Sequence, residues 1–62
     1  MINSIEPNTK CTEILEQAKK FNMSCMDNHI KPTWQDYEYF KNQLHNENIY
    51  GAEPILATIL GL

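Results

Sequence analysis

The sequence predicts a small all-α protein, either a three-helix bundle or a helical dimer. Three observations point there: an apolar stripe at helical spacing from Cys11 to Phe21, a helix-start signature spanning Thr33 to Asp36, and the closing run GAEPILATILGL. The closing run also raises the main question, because a chain of 62 residues has few elements with which to cover so much aliphatic surface. The chain reads as one small helical domain over 1–62, with residues 1–7 as a short extended arm closed by Pro7. From that arm Ile2 and Ile5 can tuck against a core.

The first helix rests on the segment NTKCTEILEQAKKFN. Cys11, Ile14, Leu15, Ala18 and Phe21 fall on one helical stripe, while Glu13, Glu16, Lys19 and Lys20 face away from it. Asn8 or Thr9 can cap its start, and Glu16 precedes Lys20 in the favourable i,i+4 order. Its end has two readings. Asn22 can take a left-handed position, after which Ser24 and Asp27 start a short separate helix and make four helices in all. Alternatively the stripe continues in register through Cys25 and His29 as one longer helix to about Asn28. The break near Asn22 is slightly favoured. In either case Lys31 precedes Pro32, which disfavours helix at that point.

The second helix starts in PTWQDYEYFKNQLHNEN, where Thr33 and Asp36 form an acidic variant of the capping box. Tyr37, Phe40 and Leu44 form its inward stripe, Trp34 sits at the rim, and Tyr39 points the other way. Tyr50-Gly51 marks a turn. In the third helix Pro54 suits the first turn and Gly61 the position just past the end. At 100° per residue, Leu62, Ile55, Ile59, Ala52, Leu56 and Leu60 span roughly 160°, wider than the ~100° stripe of a one-faced surface helix. Such a helix calls for neighbours on more than one side. Either the other two helices suffice, or a second copy or another protein covers the remainder.

Composition narrows the function classes. Eight acidic and five basic residues give a net charge of −3, and all five basic residues are lysines. Without arginine, bidentate reading of guanine or phosphate is lost, and an acidic chain neutralises few phosphates. The hydrophobic fraction of 42% and mean hydropathy of −0.51 suit a globular chain. MINSIEPNTK lacks a basic segment followed by an apolar run, so the expected location is cytoplasmic. Two cysteines there read as free thiols.

Four constellations of residues could carry a function. Cys25 and His29, four apart on one helical face, are the candidate metal pair. Cys11 and Cys25 stand too far apart for a structural zinc pattern, so packing in the stripe is preferred and no cofactor is expected. The same Cys-His pair is the one candidate nucleophile. A chain this short has little room for an oxyanion hole and a substrate cleft, so no enzyme activity is expected. The segment LEQAKKFNMSCMDNHIK resembles a helix-turn-helix in outline over 13–31, which implies a small DNA-binding regulator as the alternative function. That resemblance departs at Asn28, where a recognition helix would bury an aliphatic residue, and at Asp27. Protein recognition is the fourth, with Trp34, Tyr39, Leu56, Ile59 and Leu60 as partner-binding residues. The closing run carries no lysine and is too short to span a bilayer, so no membrane partner is expected. The function expected from the sequence is therefore a small, non-catalytic, regulatory accessory protein. It binds another protein through helical surfaces, as a homodimer, without nucleic acid.

Overall fold

The computed structural model describes residues 6–62. Three helices follow in order: α1 over Glu6–Asp27, α2 over Trp34–Asn46 and α3 over Glu53–Leu60. No strand occurs among the described residues, and the protein is all-helical as expected. Ile2 and Ile5 of the expected N-terminal arm lie outside the described residues. Glu6 and Pro7, assigned to that arm from the sequence, instead open α1. Proline is tolerated there because the first N–H groups of a helix have no intrahelical partner.

α1 runs unbroken through Asn22, so the separate helix starting at Ser24 does not form and the four-helix variant is not seen among the described residues. The physical reason is burial. Continuing the helix brings Cys25 onto the same face as Ile14 and Ala18, and all three are buried. Cys11, Leu15 and Phe21 pack against that core from either side of the stripe. Both cysteines are free thiols. Fourteen positions on one helix separate them by ~21 Å, far beyond disulfide reach.

All three helices end by the same device. After α1, the Ile30 N–H donates to the Cys25 carbonyl at 2.7 Å and the His29 N–H to Met26 at 3.0 Å, with His29 at φ 59°. After α2, Ile49 donates to Leu44 and Asn48 to His45, both at 2.9 Å, with Asn48 at φ 60°. After α3, Leu62 donates to Ala57 at 2.9 Å and Gly61 to Thr58 at 3.1 Å, with Gly61 at φ 75°. This pair of hydrogen bonds around a left-handed residue is the Schellman motif, and it satisfies carbonyls that the helix end leaves open. An aliphatic residue, Ile30, Ile49 or Leu62, follows each left-handed position. The Asn28 side chain adds a bond to the Ser24 carbonyl at 2.8 Å.

The start of α2 follows the sequence expectation. Thr33 N–H donates to Asp36 Oδ2 at 2.8 Å, and Asp36 N–H donates to Thr33 Oγ1 at 3.4 Å, which closes the capping box. Phe40 and Leu44 are buried. Pro54 lies in the first turn of α3, whose N-cap, Ala52, offers no side-chain acceptor.

Each helix touches both others, around a core of Ile14, Ala18, Phe40, Leu44, Ala52, Leu56 and Leu60. Phe21 meets Phe40 across the α1–α2 contact at 5.8 Å between ring centroids. The wide apolar arc of α3 is covered on one side only. Ala52, Leu56 and Leu60 are buried and Ile59 is half-buried, while Ile55, at the opposite edge of the arc, is exposed; Leu62, expected on the same arc, instead lies beyond the helix end after left-handed Gly61. Two neighbouring helices therefore cover about two thirds of a face this wide.

Candidate functional site

Three of the exposed apolar residues, Met26, Ile30 and Leu62, meet at one end of the bundle, and the helix endings put them there. The left-handed turn at His29 stops α1 and presents Ile30; the one at Gly61 stops α3 and presents Leu62. Between them lies a cleft of about 310 Å³ whose walls include Asn22, Met26, Ile30, Pro32, Leu60 and Leu62. Leu60 and Pro32 form buried parts of the wall, whereas Met26, Ile30 and Leu62 are exposed. Asn22 Nδ2 approaches Met26 Sδ at 3.8 Å. Lys31 is the one charged residue lining the cleft.

The residues expected to bind a partner do not form one surface. Trp34 is exposed and meets Tyr37 edge-on at 5.3 Å. Tyr39 is exposed and meets Phe40 edge-on at 5.1 Å. Five positions on a helix set Trp34 and Tyr39 about 140° apart, on opposite flanks of α2. Leu56 and Leu60 belong to the chain's own core, and of the two only Leu60 borders the cleft. Ile59 packs against that core half-buried. Sequence reasoning missed Met26, Ile30 and Leu62 as a group, because they come together only where two helix ends meet.

The candidate metal pair is not assembled either. Cys25 is buried in the α1 stripe, but α1 stops at Asp27 and His29 occupies the exposed left-handed position beyond it. The i,i+4 arrangement that a shared ion needs is therefore absent, and the same geometry removes the Cys-His nucleophile pair. Among the described residues no group of three or more His, Cys, Asp and Glu could hold a metal ion.

A polar cluster that the sequence did not disclose ties α2 to α3. Nε2 of His45 lies 2.8 Å from Oε2 of Glu53, and since a carboxylate only accepts, the imidazole donates. Oε1 of Glu53 accepts the Gly51 N–H at 2.9 Å. Tyr50 lies against the His45 ring at 4.8 Å. Glu53 thus binds back to the turn, where Ala52 cannot cap. The sequence carried a faint signal: an acid in the first turn of an otherwise uncharged helix with no capping side chain, after a helix ending in histidine.

The hydrogen bond from His45, joined by backbone N–H groups of Glu53 itself and of Gly51, holds the Glu53 carboxyl below its ordinary value against an opposing push from burial. A carboxylate whose folded pKa is depressed contributes stability that is full above its unfolded value and lost as pH falls through the folded one. Thermal melts of Glu53→Gln are therefore expected to lie below wild type at pH 7 and to converge on it as pH drops below about 4. A gap that stays constant across that range would separate Glu53 from the acid response.

No described helix is long and apolar enough to cross a membrane. Comparison with protein-family models, with curated proteins and with solved structures finds no match to this chain. The class that the fold defines is a small three-helix bundle, with an apolar cleft between the ends of two helices.

Proposed function

We propose that this chain is a small, non-catalytic, regulatory accessory protein of the cytoplasm that works by binding other proteins through its helical surfaces, as a homodimer. The observation that carries this reading is the cleft end, where Met26, Ile30 and Leu62 stand exposed together and Lys31 is the one charged side chain in the wall. Exposed apolar side chains scattered singly are ordinary, but a group that rims a cleft marks an interaction site. The aromatic flank of α2 adds Trp34 on Tyr37, with Lys41 Nζ 5.8 Å from the Tyr37 ring centre. Tryptophan and tyrosine are enriched among residues that dominate binding energy.

The DNA-binding alternative loses support from two sides. The turn that a helix-turn-helix needs near Asn22 lies inside the unbroken α1. Of the lysines, Lys19 and Lys41 are engaged with Glu16 and Glu38 at 3.4 and 3.1 Å. The two readings separate on a column of non-specific duplex DNA. A protein-binding module is expected to pass at 50 mM salt, whereas a regulator is retained there and released steeply as salt rises. In parallel, light scattering is expected to give twice the chain mass. Salt-sensitive retention by DNA together with monomer mass would overturn the reading.

A further inference from the structure

We draw no further inference here: the strongest candidate, the apolar cleft between the ends of α1 and α3 rimmed by Met26, Ile30 and Leu62, belongs to the site already described, and nothing in the structure shows what covers it.

Discussion

Replacing Leu56 with Ala is expected to unfold most of the protein at physiological temperature. Leu56 is 0% exposed, sits between Ala52 and Leu60 on the inner face of α3, and shares the core with Ile14, Ala18, Phe40 and Leu44. Truncating a buried leucine costs about 2–5 kcal/mol, from lost transfer energy and from the cavity left behind. A single core in a domain of this size rarely supplies more than about 3–5 kcal/mol of net stability. One kcal/mol shifts the melting temperature of such a domain by roughly 4–8 °C, so the midpoint should fall by at least ~10 °C. Ile55→Ala is the control, because it removes a side chain of similar size one position away, at a site that is 54% exposed. Its midpoint should move by only a few degrees. Equal shifts at the two positions would mean that α3 is not docked by the face described.

Ile59→Asp is expected to lower the melting temperature at every protein concentration. Ile59 is half-buried and packs against the chain's own core, so the substitution removes apolar burial and pulls a carboxylate out of water. Together these cost about 2–4 kcal/mol. That behaviour separates it from Ile30→Asp. Ile30 is 57% exposed and lies outside the core cluster, so its variant should melt within a few degrees of wild type. An Ile59→Asp variant that melts like dilute wild type would place Ile59 in a contact between copies rather than inside the bundle.

Much of the helical layout was legible because it is set within one or two turns of chain. The capping box at Thr33 and Asp36, the proline in the first turn of α3 and the glycine after it are local devices, and each stands where the pattern placed it. The stripe from Cys11 to Phe21 likewise named the face of α1 that packs. The other two helix ends were harder to read. His29 and Asn48 take the left-handed conformation that is expected first of glycine. What marks them in the sequence is the isoleucine that follows each, as Leu62 follows Gly61.

The break near Asn22 was a close contest between a local capping pattern and a longer apolar stripe, and only packing could decide it. The continuous helix buries Cys25, whereas a left-handed Asn22 would have turned the chain away from the core. The His45–Glu53 pair was hidden for a related reason. Its partners stand eight positions apart across a turn, with no helical spacing to connect them.

The sequence by itself determined that the chain is helical, roughly where each helix begins, and that α3 carries more apolar surface than one face can bury. Tertiary structure decided how that surface is divided. Leu56 and Leu60 lie inward and Ile55 outward, because two helices packed on a third can cover only part of its circumference, and Leu62 leaves the helix after the left-handed Gly61. It also brought Met26 and Ile30 beside Leu62, a meeting of two helix ends about thirty positions apart that no local pattern encodes. Periodicity measures how wide an apolar face is; only the placement of neighbours determines which part of it remains open.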